Sequence, residues 1–203
     1  RPDEVVVVSC HLDSWDLGRG AIDDGAGCGI AIEAARLVSR ASRRPLRTIR
    51  VVLFANEESG LAGGTGYAAR HAAELPKHAG AFEADSGAGA PTGFSWSAAE
   101  SLGPALAAVA KLLEPLGAGA LRSGGHGGAD ISPMATAGVP LFGLSQEGGA
   151  YFDVHHTADD TFDKIQPASL DKAAAAMAAM AYAVADLPRI HARPAVPGTP
   201  GPR

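Results

Sequence analysis

Val5 to Val8 is an unbroken row of β-branched residues. A strand wetted on one face alternates apolar with polar side chains, so a continuous run implies a strand covered on both faces, as in a mainly parallel sheet. The same character returns at Arg50 to Phe54 with Ile49 leading in, more weakly at Ala79 to Ala84, and again at Val139 to Leu144. Helix-spaced segments separate these runs. Gly27 to Val38 carries Ile30, Ala34, Leu37 and Val38 at helical intervals, and Gly64 to Arg70 suits a short helix. Leu102 to Leu113 is helical until Pro115 and Gly117 end it, Pro133 to Ala137 suits one turn, and Ala168 to Ala185 is a long Ala-rich helix. Thr92 to Ser97 reads as a short edge strand, and Ser123 to Ala129 as a Gly-rich loop. Strands alternating with helices predict an α/β fold: three layers, α/β/α, around a mostly parallel central sheet.

With 203 residues, 46% of them hydrophobic, the chain can build one sizeable core. Residues 1–187 are expected to form a single domain. From Pro188 onward there are five prolines and little that packs, so 188–203 is expected to be a disordered tail. The longest apolar run, Ala173 to Ala185, falls short of the ~20 residues that span a bilayer. A net charge of -5 without a basic stripe argues against a nucleic-acid partner. Arg36, Arg40, Arg43, Arg44, Arg47 and Arg50 cluster only because they flank a helix-to-strand turn, and they read as solvated surface. Cys10 ends a strand and Cys28 lies on the next helix; two buried thiols are the expectation, a disulfide the alternative. Arg1 stands just ahead of the first strand, so the sequence is expected to start inside a longer protein, and a missing targeting segment then says nothing about compartment.

Where the polar residues fall is more telling. The first strand runs into His11 and Asp13, the second into Glu57 and Glu58, the third into Asp85, and the fourth leads to a loop with His155 and His156. Open α/β sheets carry their sites beyond the carboxyl ends of the strands. One edge should therefore collect these residues together with Asp23 and Asp24. At ~4 Å and an effective dielectric of ~20, each carboxylate pair costs about 4 kcal/mol before relaxation. Either protons or cations must sit among them. Imidazoles mixed with carboxylates suit zinc better than calcium or magnesium, which prefer oxygen alone. Three carboxylates and one bridging hydroxide balance two Zn²⁺ ions. Taken singly, a His-x-Asp, a Glu-Glu pair or an Asp-Asp-Gly turn reads as well as a solvated loop; their conjunction at successive strand ends is what points to a site.

Five segments, His11-Leu12-Asp13-Ser14, Gly20-Ala21-Ile22-Asp23-Asp24-Gly25-Ala26-Gly27, Asn56-Glu57-Glu58-Ser59-Gly60, Glu83-Ala84-Asp85 and His155-His156-Thr157, resemble the zinc aminopeptidase family. The run from Val5 to Leu37, with Ser14-Trp15-Asp16-Leu17-Gly18, looks most like its plasma glutamate carboxypeptidase branch. The resemblance implies a two-zinc exopeptidase that hydrolyses short peptides or dipeptides from a free terminus by a metal-bound hydroxide. Aminopeptidase, dipeptidase and carboxypeptidase remain open. It implies that Asp23 bridges both metals, that His11 and Asp85 complete one site and Glu58 and His156 the other, and that Glu57 is the general base. Asp13 should accept the free imidazole N–H of His11. Asp24 either supports Asp23 or caps the following helix, and Asp160 should orient His156. His155 either polarises the substrate carbonyl or packs beneath the site. Gly124 to Gly128 is either a mobile rim or a plain surface loop, and Trp15, Trp96, Tyr151 and Phe152 are either pocket walls or core.

Two rivals share the fold. A single-zinc glutaminyl cyclase is expected to lack the Asp23 to Gly27 segment, which is intact here. A non-catalytic ectodomain of the transferrin receptor kind loses ligand positions, and all are filled here. Relatives have further strands before the one at Val5. Without them a sheet edge is uncovered, which invites association, a homodimer being one form. By resemblance the full-length protein is secreted or periplasmic.

Overall fold

Six strands form one sheet in the computed structural model, which describes residues 1–149 and 151–192. They are β1 (Val5–His11), β2 (Thr48–Phe54), β3 (His78–Glu83), β4 (Pro91–Ser97), β5 (Ala120–Ser123) and β6 (Leu141–Gln146). Their spatial order is β2-β1-β3-β6-β4-β5. β2, β1, β3 and β6 run parallel, while β4 is antiparallel to β6 and β5 is parallel to β4. The sheet is thus mostly parallel, as the sequence predicts. The Thr92 to Ser97 strand, expected at an edge, is instead internal. The edge beyond it is β5, whose Ala-Leu-Arg-Ser sequence is largely exposed and has no apolar run to betray a strand.

Among the described residues the α-helices are α1 (Ala26–Ser39), α2 (Ala62–Arg70), α3 (Gly103–Leu113), the single turn α4 (Tyr151–Val154) and α5 (Pro167–Asp186). Strand alternation divides the core in two. Val6 and Val8 point to the face covered by α1, α3 and α5, where Phe82 stacks on Phe142 with ring centroids 4.3 Å apart. Val5 and Val7 point to the other face, against Phe54, Leu75, Ile131 and Met134, with Tyr67 of α2 at its margin. Val6, Val7 and Val8 are all 0% exposed, each contributing roughly 1.5–3 kcal/mol relative to an exposed side chain. On α5, Ala173, Ala176, Met177, Met180, Ala181 and Val184 recur at three- and four-residue intervals and are buried. Their small side chains let α5 lie close against α1. Among the described residues, no helix is long and apolar enough to cross a membrane.

Several surface expectations need correction. Arg47 is buried, not solvated: its Nε donates to Glu4 at 2.6 Å and its NH1 to the carbonyls of Leu187 at 2.6 Å and Ala185 at 3.3 Å, closing the C-terminal end of α5. Of the two readings left open for Trp96, the core holds: it belongs to the same buried cluster as Leu102. Cys10 and Cys28 are joined in a disulfide, not two thiols. The cause is the tight seat of α1 on the sheet. A Cβ on Gly27 would fall 1.9 Å from the Ala84 carbonyl oxygen, so only glycine permits the approach, and it leaves the two cysteines with Cα atoms 5.1 Å apart. Of the expected tail, Ile190 packs against the core and the His191 carbonyl accepts the Ala99 N–H at 3.3 Å, while residues 193–203 lie outside those described.

Candidate metal centre

The ends of β1, β2 and β3 and the turn after α4 converge on Asp23. Its Oδ1 lies 3.1 Å from His11 Nε2, which is itself 3.7 Å from Asp85 Oδ1. Its Oδ2 lies 3.4 Å from His156 Nε2, which is 2.9 Å from Glu58 Oε2. One carboxylate therefore faces two separate imidazole–carboxylate pairs. His155 stacks on His156 with centroids 3.6 Å apart, and its Nε2 reaches within 3.9 Å of Asp23 Oδ2. Trp15 also stacks on His156, with ring centroids 4.6 Å apart. His11, Asp23 and Asp85 have ligand atoms all within 4.8 Å of one another, as do Asp23, His155 and His156.

Local structure holds these groups in place. Asp23 follows the turn Ala21–Gly25, whose backbone is fixed from a distance. Asp160, 2% exposed, accepts the Ile22 N–H at 2.6 Å and the Asp23 N–H at 3.1 Å. Asp160 thus positions Asp23, not His156 as expected. Asp24 binds the His11 N–H at 3.0 Å and the Gly27 N–H at 3.1 Å. It therefore caps α1 and ties that helix to β1. The free imidazole nitrogen of His11 meets the backbone carbonyl of Asp13 at 2.9 Å, whereas the Asp13 carboxylate is 3.7 Å away. That carboxylate instead accepts the N–H groups of Glu57 at 3.0 Å and Glu58 at 3.2 Å. Asp13 therefore holds the glutamate turn to the end of β1 and serves the imidazole only through its main chain.

The electrostatics of the cluster favour positive charge. Burial opposes a charged His11, but the hydrogen bond to Asp23 and the nearby carboxylates of Asp85 and Asp24 overrule it and push it up to about 12. Burial would raise Asp23, but His11, His155 and His156 hold it below the usual carboxylate range. Burial raises Glu57, and the charges of Asp85 and Glu58 raise it further. Burial and the charge of Asp23 likewise raise Glu58, whose Oε1 is buried without a partner. A carboxylate oxygen left so, beside an imidazole and a shared aspartate, fits a divalent cation that accepts mixed N and O donors.

Two acids that the sequence did not single out for a role complete the surroundings. Glu83, pushed up to about 8 by burial and by Asp85 and Asp130, accepts the N–H groups of Asp130 at 3.3 Å and Ile131 at 3.0 Å. Asp130, 0% exposed, is pushed up to about 7 by burial and by the charge of Glu57; its oxygens make no well-formed hydrogen bond, only a weak approach to the Gly64 amide. Glu83 sits inside the Glu-Ala-Asp segment, but Asp130 carried no signal beyond being an acid in a Gly-rich loop. Tyr151 is half-buried against His155, and Phe152 is 77% exposed.

A sheet with buried strands and a donor cluster at its carboxyl edge defines the class of three-layer α/β proteins that build their site beyond the strand ends. Within that class, the chain belongs to peptidase family M28, whose model matches residues 1–181. It is 42% identical over 186 residues to carboxypeptidase Q of Mus musculus, an alignment covering 92% of this chain and 39% of that protein. The crystal structure of a peptidase M28 precursor from Shewanella amazonensis superposes with a TM-score of 0.90 at 45% identity, covering 97% of this chain and 44% of that one. The zinc aminopeptidase BSAP from Bacillus subtilis shares the fold, with a TM-score of 0.68 at 23% identity, 93% of this chain and 50% of that one. The chain thus spans half or less of the length of these relatives.

Proposed function

We propose that this chain is the catalytic domain of a two-zinc exopeptidase acting on short peptides or dipeptides with a free terminus. The observation that carries the reading is Asp23 itself. Its two oxygens face different imidazoles, each backed by its own carboxylate, which is the arrangement of a carboxylate shared by two metals. His11 and Asp85 would hold one zinc, Glu58 and His156 the other, and Asp23 both. Bound there, the metals would supply Lewis acidity and a water acidic enough to react near neutral pH.

The remaining chemistry belongs to the chain. Glu57 has a carboxylate raised by burial and by Asp85, which makes it a stronger base than a surface glutamate. It takes the proton of the attacking water and returns it to the leaving amine. The hydrogen bonds from the Glu57 and Glu58 amides to Asp13 let neighbouring residues divide the roles of base and ligand. His155, stacked on His156 and partly exposed, would donate to the substrate carbonyl oxygen. Family membership and likeness to carboxypeptidase Q support peptide substrates. The disulfide supports an oxidising compartment, secreted or periplasmic.

The test is a metal count on the purified protein together with Glu57→Gln. Two zinc ions per chain are expected. One would favour a cyclase-like centre, and none a non-catalytic scaffold. Glu57→Gln should keep both metals while turnover drops by ~10²–10⁴-fold; a variant with wild-type turnover would refute its role as base.

A further inference from the structure

Tyr151 touches both halves of the centre. It opens α4, and the His155 N–H donates to its carbonyl at 2.8 Å, so the two side chains stand one turn apart on one face. Their rings are 5.0 Å apart, and His155 in turn stacks on His156 at 3.6 Å. The phenol ring also rests on the loop that follows Asp85. A Cβ on Gly87 would fall 2.7 Å from Tyr151 Cδ2, and Gly87 has a φ of +88°, so both the turn and the ring require glycine there. Phe152 meets the ring edge-on, with centroids 4.9 Å apart. The ring is therefore held between the residue two places past Asp85 and the neighbour of His156.

This packing fixes the ring and leaves the hydroxyl unused. Among the described residues the Tyr151 O–H makes no hydrogen bond. Burial, then the charges of Asp23, Asp85, Asp24 and Glu58, hold the phenol well above its usual range, so it keeps its proton. Three of those four acids are the candidate ligands of the two halves. The hydroxyl thus lies near both and offers one O–H donor to whatever enters between them. A neutral donor suits this place: it adds nothing to the repulsion among the carboxylates, and its bond strengthens as an acceptor gains negative charge.

We propose that Tyr151 is a catalytic residue whose O–H donates to the oxygen of the scissile carbonyl as that oxygen becomes negative, a second donor beside His155. This rests on the exopeptidase reading above. When the water oxygen bonds to the carbonyl carbon, the π pair of the C=O bond moves onto its oxygen. A donor already fixed in place stabilises that charge without reorganising. The phenol keeps its proton throughout. When the C–N bond breaks, the pair returns to re-form C=O, and the amine leaves with the proton that Glu57 carries.

The experiment compares zinc-loaded wild type, Tyr151→Phe and Tyr151→Ala. Steady-state kinetics use Ala-Ala. Calorimetry on the Glu57→Gln background measures binding of Ala-Ala and of its phosphinate analogue, whose tetrahedral phosphorus carries the charged oxygen. Tyr151→Phe keeps the ring in its seat and should hold as much zinc as wild type. Its kcat should fall about 10²-fold, the scale of one oxyanion donor, with KM within about two-fold. The phosphinate should bind more weakly by about the same factor, and Ala-Ala almost as before. If Tyr151→Phe matches wild type while Tyr151→Ala is impaired, the ring only packs and the proposal is overturned. Zinc loss in Tyr151→Phe would make the hydroxyl a support for a ligand, and equal weakening of Ala-Ala and phosphinate would make it a plain binding contact; either overturns the proposal. In all three cases the peptidase reading stands. A zinc-loaded wild type that leaves Ala-Ala intact would bring down both.

Discussion

Asp160→Ala should loosen the fold and the metal centre together, and the size of each effect follows from two hydrogen bonds. The Asp160 carboxylate is buried and accepts the Ile22 N–H at 2.6 Å and the Asp23 N–H at 3.1 Å. A hydrogen bond to a charged group contributes about 1.5–3 kcal/mol. Removing both leaves two amides buried, while also removing a buried charge, so a net loss of about 4 kcal/mol is expected. For a domain of this size that lowers the melting temperature by ~8–16 °C. Asp160→Asn keeps one acceptor and should lose about half as much. The same bonds pin the backbone of Asp23, so zinc affinity should fall ~10–100-fold, the usual effect of removing a group that orients a ligand. Circular-dichroism melts of metal-free protein measure the first effect, and competition with a chromophoric chelator the second. If Asp160→Ala melts within about 2 °C of wild type and binds zinc equally well, Asp160 does not position Asp23 and the reasoning fails.

Replacing Cys10 and Cys28 together by serine releases an 18-residue loop and should cost about 3 kcal/mol in the chain-entropy model; denaturant titration with and without reductant checks this, and indifference of the wild type to reductant would remove the cross-link. In the metal-free protein, Asp130 keeps its proton up to about 7, whereas an unfolded aspartate loses it near ~3.9. Its contribution is therefore complete below the lower value and is lost as pH rises through the upper one, by up to about 4 kcal/mol. Asp130→Asn should flatten that decline in urea titrations across pH, and an unchanged slope would count against the assignment. Trp15→Ala removes the ring stacked on His156, a contact of ~0.5–1.5 kcal/mol; zinc affinity should fall a few-fold, and wild-type tryptophan fluorescence should respond to zinc because Trp15 abuts the centre.

Much of the architecture was legible because burial writes itself into composition. Val5 to Val8 has to be covered on both sides, and the polar residues that follow each run have to emerge at one edge. What stayed hidden depends on contacts between distant segments. β5 carries Ala-Leu-Arg-Ser, with no periodicity to announce it, and only its pairing with β4 makes it a strand. Arg47 looks like its solvated neighbours until α5 closes over it. Asp160 stands far from Asp23 in sequence and acts on its backbone, so no spacing rule points to it. Asp13 was expected beside His11, but its carboxylate is spent on a turn that only the pairing of β1 with β2 brings near. The sequence marks donor atoms well and marks poorly the groups that aim them.

The order β2-β1-β3-β6-β4-β5 places the last parallel strand to be synthesised in the middle of the sheet. Ligand candidates run from His11 to His156, so a nascent chain cannot assemble the centre until β6 and the turn beyond it have left the ribosome. At ~5–20 residues per second, the first imidazole waits on the order of ten seconds for the last. Zinc capture is therefore a late event in biogenesis, and a chain stalled before α4 should leave the ribosome without it.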